Sequence, residues 1–253
     1  MDEILYRVER HVAEIRLNRP ERLNALSLAM RKRWVELVEE TNSDTEVRAI
    51  VLTSTGDKAF CTGADLKEMS QRDSAGKHRA NMRGRPPMPA KPMVAAVHGY
   101  CLAGGLELAM LCDIRVASEN AVFGLPEVRR SLVPLQAVNL LPGLLPRGAA
   151  LYLALTGENI DAQHAIAVGL LHKVLPDKQA AEDEAWKIAS SIALGAPLAA
   201  QAIKDVIWKN GGTGTEEGYQ LALSALARVQ ASEDAKEGPR AFTENRAPDW
   251  KGR

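Results

Sequence analysis

Pro92-Met-Val-Ala-Ala-Val-His-Gly-Tyr-Cys-Leu-Ala-Gly-Gly-Leu-Glu-Leu-Ala-Met-Leu-Cys-Asp113 reads as an apolar strand, a glycine turn and a helix. Met93–Val97 has the continuous apolar character of a buried strand, and Gly104-Gly105 opens a helix that carries Glu107 in its first turn. Strand, turn and helix N-terminus together make a place for a negatively charged oxygen, because free backbone N–H groups and the helix dipole converge there. Twenty residues on, Phe123-Gly-Leu-Pro-Glu127 supplies a second glutamate. Two carboxylates beside such a site point to proton transfer next to a developing oxyanion.

Working outward, Ile4–Val8 and Val12–Leu17 read as strands around a polar turn. Asn18–Ser27 is turn-rich, with Ser27 as the N-cap of an amphipathic helix over Leu28–Asn42, whose apolar stripe is Met30, Trp34, Leu37 and Val38. Arg48–Ser54 is a buried strand, Thr55–Gly63 a loop, and a helix starts at Ala64–Met69. Gln71–Pro92 is charged and aperiodic, and Leu102–Cys112 is a helix apolar enough to belong to the core. Ile114–Ser118 is again a strand. Helices follow near Gln136–Leu145, Ala149–Thr156 and Ala162–Val168, with a short strand at Leu171–Val174. The last third is helical over Lys178–Leu194, Leu198–Lys209, Thr215–Ala231 and Asp234–Phe242. Alternation followed by helices alone predicts an α/β core over 1–195 and a helical region over 196–253, divided near Gly195-Ala-Pro197.

The chain of 253 residues is 46% hydrophobic and 25% charged, with Lys+Arg and Asp+Glu both 32. That neutral balance argues against a nucleic-acid partner, and no apolar stretch is long enough for a membrane span. Cys61, Cys101 and Cys112 form no CxxC pair and are expected as reduced thiols. The five histidines show no ligand spacing, so no metal site is expected. With no signal or transit pattern at the N-terminus, a cytoplasmic protein is the expectation.

Two loop-to-helix junctions carry the chemistry. Phe60-Cys-Thr-Gly-Ala-Asp-Leu66 offers the N–H of Ala64, and Leu102-Ala-Gly-Gly-Leu-Glu107 that of Gly104. Converging at strand ends, they form an oxyanion hole. Glu107 either caps its own helix or faces the pocket as Glu127's partner. As a pair, mutual repulsion leaves one acid and one base near neutral pH.

Along essentially its whole length the chain resembles the enoyl-CoA hydratase/isomerase (crotonase) superfamily. The matching stretches are Asn18-Arg-Pro, Leu23-Asn-Ala-Leu26, Ala59-Phe-Cys-Thr-Gly-Ala-Asp-Leu66, Ala96-Val-His-Gly99, Gly104-Gly-Leu-Glu-Leu108 and Phe123-Gly-Leu-Pro-Glu127, then Thr156-Gly157, Gly169-Leu-Leu171 and Phe242-Thr-Glu244. The resemblance implies an α/β spiral of ββα turns, a C-terminal helical oligomerisation region, and a homo-oligomer that is a trimer or dimer of trimers. It implies an acyl-CoA thioester as substrate, with coenzyme A part of the substrate and no separate cofactor. Ala64 and Gly104 would bind the thioester oxygen, Glu107 would activate water for attack at Cβ, and Glu127 would protonate Cα. Further substrate contacts are implied at Arg22, Ala25, Asp65, Leu66, Lys67 and Leu135. Relatives that isomerise or hydrolyse acyl-CoAs commonly lack one or both glutamates, so hydration is favoured; a carnitinyl-CoA-like dehydratase, an isomerase and an RNA-binding member are the alternatives.

Two departures stand out. The glycine-rich continuation usual after the second glutamate is replaced by Ser131-Leu-Val-Pro-Leu-Gln-Ala-Val-Asn139, which puts Leu135 where a glycine amide helps hold water and predicts a differently shaped helix start. Asn245 stands where hydratases often carry a lysine that reaches a neighbouring subunit's CoA, with Arg246 and Lys251 as substitutes. By the same resemblance Gln71–Pro92 corresponds to the variable acyl-pocket wall; a solvated charged loop is the favoured reading of Arg79, Arg83 and Arg85, with contact to a polar acyl group as the alternative.

Overall fold

In the computed structural model, residues 2–65, 67–68, 87–210 and 215–253 are described. The strands are β1 (Ile4–Glu9), β2 (Val12–Leu17), β3 (Ala49–Ser54), β4 (Ala59–Cys61), β5 (Met93–Val97), β6 (Tyr100–Leu102), β7 (Ile114–Ser118), β8 (Val122–Gly124), β9 (Ile160–Asp161) and β10 (Lys173–Leu175). The helices are α1 (Leu28–Ser43), α2 (Gly104–Met110), α3 (Leu135–Leu144), α4 (Arg147–Thr156), α5 (Ala162–Ala167), α6 (Lys178–Ala193), α7 (Pro197–Asn210), α8 (Glu216–Gln230) and α9 (Asp234–Thr243). Single 3₁₀ segments lie at Pro20–Arg22 and Pro126–Arg130.

Arg10 and His11, both at positive φ, turn β1 tightly into antiparallel β2. From β2 onward the first sheet is parallel, in the order β1-β2-β3-β5-β7-β10. The second sheet runs β4-β6-β8-β9, parallel except for its last pair. Each odd strand β3, β5 and β7 is thus followed at once by an even one in the other sheet. The chain winds as a spiral of ββα turns, an α/β fold.

Strand alternation divides the buried residues between two cores. Ile50, Leu52, Ala95 and Val97 face the larger core, which holds Phe60, Phe123, Leu106 and Met110. Ala49, Val51, Val94 and Ala96 point the other way, against Ala185, Ala189 and Ala193 of α6. Both faces of β3 and β5 are covered, which is why these strands read as uninterrupted apolar runs. The alanine stripe lets α6 close on the sheet, and Arg16 clamps it by bridging Glu14 at 2.6 Å and Glu182 at 2.8 Å.

From Pro197 the described regular elements are the helices α7, α8 and α9, and α7 is tied to the core through Asp113, which accepts Trp208 Nε1 at 2.6 Å and pairs with Lys204 at 2.9 Å. The last residues fold back over α9 and α6. Asp234 accepts the amides of Lys251 and Gly252, and Trp250 Nε1 donates to the Leu194 carbonyl at 2.8 Å.

Four short strands depart from the sequence expectation. The Thr55–Gly63 loop contains β4, the first residue assigned to the Leu102–Cys112 helix ends β6, and the sequence reading has no strand at β8 or β9. Two or three residues are too few to display a period. Among the described residues no helix is long and apolar enough to cross a membrane.

Candidate active site

The site is built where the parallel strands of the second sheet end. β4 runs into Thr62-Gly63-Ala64-Asp65, β6 into Ala103 and α2, and β8 into the 3₁₀ segment that carries Glu127. The two donor loops therefore follow β4 and β6 directly, rather than β3 and β5 as the sequence alone suggested.

These loops press together. A Cβ added to Gly63, whose φ is +91°, would lie 2.7 Å from Ala103 Cβ and 3.1 Å from the Gly104 nitrogen. One added to Gly104 would lie 3.8 Å from the Ala64 nitrogen. The amides of Ala64 and Gly104 are thus neighbours. Ala64 is also held by a parallel bridge to Leu26, with the Leu26 amide donating to Gly63 O at 2.7 Å. Gly104 is the first residue of α2, so its N–H has no carbonyl one turn back to bond. Ala103, the N-cap, holds φ 52° and ψ −129°, a backbone conformation that costs an alanine about 1–3 kcal/mol. Strain stored at that one residue aims the Gly104 amide. Gly105 completes the arrangement, because any side chain there would strike the Cys61 carbonyl at 2.2 Å; only glycine lets α2 lie this close to β4.

Glu107 follows Gly104 by three residues and projects from the same side of α2. It does not cap its own helix. Its Oε1 accepts the amides of Gln136 at 2.8 Å and Ala137 at 3.1 Å, capping α3 instead. One carboxylate oxygen is fixed by a helix N-terminus, which orients the group and leaves Oε2 for other contacts.

Glu127 is different. Its Oε2 is buried and has no hydrogen-bond partner among the described residues. Burial pushes its pKa up from 4.5 to about 7; its own amide and Arg130 pull it back, while the charge of Glu107 raises it further. Glu127 can therefore carry a proton at neutral pH, while Glu107 is anchored through Oε1. That is a base and an acid side by side.

The remaining expected contacts are dispersed around the rim. Arg22 is exposed and Ala25 half-buried, in a loop that Asn24 anchors from within by donating to Thr55 O and Ala59 O, each at 2.9 Å. The Asp65 carboxylate accepts the amides of Lys67 and Glu68 and pairs with Arg19 at 3.0 Å, so it is committed to the fold. Lys67 is exposed and Leu66 lies outside the described residues, as do Arg79, Arg83 and Arg85.

Leu135 is the first residue of α3, without positive φ and 53% exposed. The missing glycines leave the helix start intact, with its amides aimed at Glu107. Arg246 is held by Glu237 at 2.5 and 3.0 Å, and Lys251 pairs with Asp249 at 2.6 Å. The Arg246 guanidinium is thus engaged within its own chain.

Sequence reasoning did not single out Arg31. It lies three residues before Trp34 and seven before Val38, on the margin of the buried stripe of α1. A cation at that helical position was the available signal. Among the described residues no cluster of three or more His, Cys, Asp or Glu is arranged to hold a metal, and the three cysteines are free and buried.

A family model described as enoyl-CoA hydratase/isomerase matches residues 7–253. (E)-Benzylidenesuccinyl-CoA hydratase of Thauera aromatica is 38% identical over 250 residues, covering 97% of each chain. The 2,3-dehydroadipyl-CoA hydratase of Escherichia coli K12 is 36% identical over 257 residues, covering 100% of each. Among solved structures, an enoyl-CoA hydratase from Mycobacterium tuberculosis H37Rv superposes with a TM-score of 0.91 at 34% identity, covering 99% of each chain.

Proposed function

The chain belongs to the enoyl-CoA hydratase/isomerase family, and from that premise we propose how its site performs the reaction. It is an enoyl-CoA hydratase, adding water reversibly and syn across the double bond of a trans-2-enoyl-CoA to give a 3-hydroxyacyl-CoA. The thioester oxygen accepts hydrogen bonds from the amides of Ala64 and Gly104. As water attacks Cβ, negative charge moves to that oxygen, where two preorganised donors are worth most; losing one costs about 3 kcal/mol of barrier. Glu107 takes the proton of the attacking water on the oxygen not bound to α3. Glu127 delivers its proton to Cα, and a proton must pass from Glu107 back to Glu127 before the next turnover.

The observation that carries this reading is the asymmetry of the pair: Glu107 Oε1 pinned by two amides, Glu127 with a buried free oxygen and a pKa near 7. It supports hydration over isomerisation, since water addition needs a base for water as well as an acid for Cα. Coenzyme A enters only as part of the substrate, and no separate cofactor or metal is required. Loss of enoyl-thioester absorbance on adding crotonyl-CoA tests the reading. Inactivity of the intact protein on short, medium and aromatic enoyl-CoAs would refute it.

A homo-oligomer, trimer or dimer of trimers, and a cytoplasmic location belong to the same proposal. Ile203 and Ile207 of α7 and Tyr219 and Leu226 of α8 are exposed apolar side chains that an isolated chain leaves in water. Sedimentation should give three or six copies, and a monomer would exclude both assemblies.

A further inference from the structure

Arg31 is a half-buried cation that the hydration mechanism does not use. Among the described residues its Nε is inaccessible without a hydrogen-bond partner, and its guanidinium forms no ion pair. Burial pulls its pKa below the usual arginine value, opposed only in part by the fields of Cys61, Glu107 and Glu68. Among the described residues none of these three hydrogen-bonds or ion-pairs with the guanidinium; each acts on it at a distance. Burial raises the Cys61 thiol to about 12, so it stays neutral. Glu68 accepts the Leu28 amide at 3.1 Å, capping α1, and Glu107 caps α3. An arginine in this state has planar donors ready for one more anion, and burial makes any such contact stronger than at the surface.

Its position says where that anion would come from. The first turn of α1 borders the oxyanion hole, because Leu26 is bridged to Ala64 and its Cδ1 lies 3.8 Å from where a Gly104 Cβ would sit. Arg31 is four residues, ~6 Å of helix, beyond the Ser27 N-cap. Its field reaches Glu107, which faces the reacting carbons, and Cys61, which belongs to the buried end of β4. An acyl chain leading inward from a thioester held at Ala64 and Gly104 would run toward this end of α1.

We infer that Arg31 receives a carboxylate carried by the acyl chain, so that the preferred substrate is an enoyl-CoA derived from a dicarboxylic acid. This rests on the hydratase reading above. Arg31 acts on specificity, holding the far end of the acyl group while Glu107 and Glu127 perform the chemistry.

The experiment compares kcat/KM for trans-2-hexenoyl-CoA with that for its ω-carboxylated counterpart, and repeats the pair at shorter and longer chain lengths. The wild-type protein should favour the carboxylated member of at least one pair by tenfold or more. In Arg31→Met that preference should fall by roughly ten- to a hundredfold, the range for a charged hydrogen bond, chiefly through KM. Arg31→Lys should keep part of it, and if Arg31→Met does not fold, the wild-type ratios and the lysine variant still decide. Wild-type preference for the uncharged member throughout would overturn the inference. So would an equal loss on both members in Arg31→Met, or a shift of the pH profile common to both with the ratio unchanged, which would assign Arg31 to the electrostatics of Glu107. Failure to hydrate either series sinks the hydratase reading itself, whereas turnover with flat ratios sinks only the role of Arg31.

Discussion

Replacing Glu127 by glutamine separates what this residue does for the reaction from what it does to the fold. Glutamine keeps the shape and hydrogen-bonding capacity but can neither ionise nor deliver the proton to Cα. Hydration should therefore fall by roughly 10²–10⁴-fold, the usual worth of a positioned acid. Stability should move the other way. The pKa of Glu127 stands at about 7 against an ordinary 4.5, so the folded protein binds a proton there that the unfolded chain releases. Below pH 4.5 both forms are protonated and the substitution is close to neutral. As pH rises through 7 the wild-type protein must carry a partly buried charge, and its stability falls. At about 1.4 kcal/mol per pKa unit the upper limit is roughly 3 kcal/mol. Solvent screening of a group this accessible brings the expected difference to about 1–2 kcal/mol. For a chain of this size that is a melting-temperature gain of roughly 2–8 °C for Glu127→Gln at pH 8, vanishing toward pH 4.5. Thermal unfolding of both proteins across that range, with crotonyl-CoA hydration on the same preparations, measures both effects. A stability difference that ignores pH, or a variant as active as wild type, refutes the reasoning.

Glu107→Ala should remove activity by a similar factor and also weaken the start of α3, since the Gln136 and Ala137 amides lose their acceptor. About 1–2 kcal/mol of stability should go with it, read by denaturant titration. Gly105→Ala leaves every reactive group in place yet forces a methyl against the Cys61 carbonyl. It should destabilise by about 1–3 kcal/mol and, by displacing the Gly104 amide, depress kcat by up to about a hundredfold. A variant with wild-type stability would show that α2 can move off β4 freely.

Much of the fold was legible because long elements display their period. The buried strands β3, β5 and β7 and the amphipathic α1 fall within a residue or two of their expected limits, and Ser27 caps α1 by accepting the Met30 amide at 3.0 Å. The second sheet was not legible as such. Its strands β4, β6 and β8 have three residues each, and Tyr100–Leu102 runs without a break in composition into α2. The strain at Ala103 was equally hidden, because alanine gives no local hint of a positive φ.

The sequence by itself determined which groups are present for chemistry. Glycines mark the two tight loops beside Ala64 and Gly104, and two glutamates follow strand ends. Only the tertiary structure decided what state those groups are in. Glu107 is anchored because α3, nearly thirty residues away, turns its first amides toward it. Glu127 is poised to hold a proton because the fold buries one of its oxygens without a partner. Arg31 comes within electrostatic reach of Cys61 and Glu107, thirty and seventy-six positions away in sequence, only through the fold. Ionisation depends on burial and on neighbours distant along the chain, and neither exists until the spiral has closed.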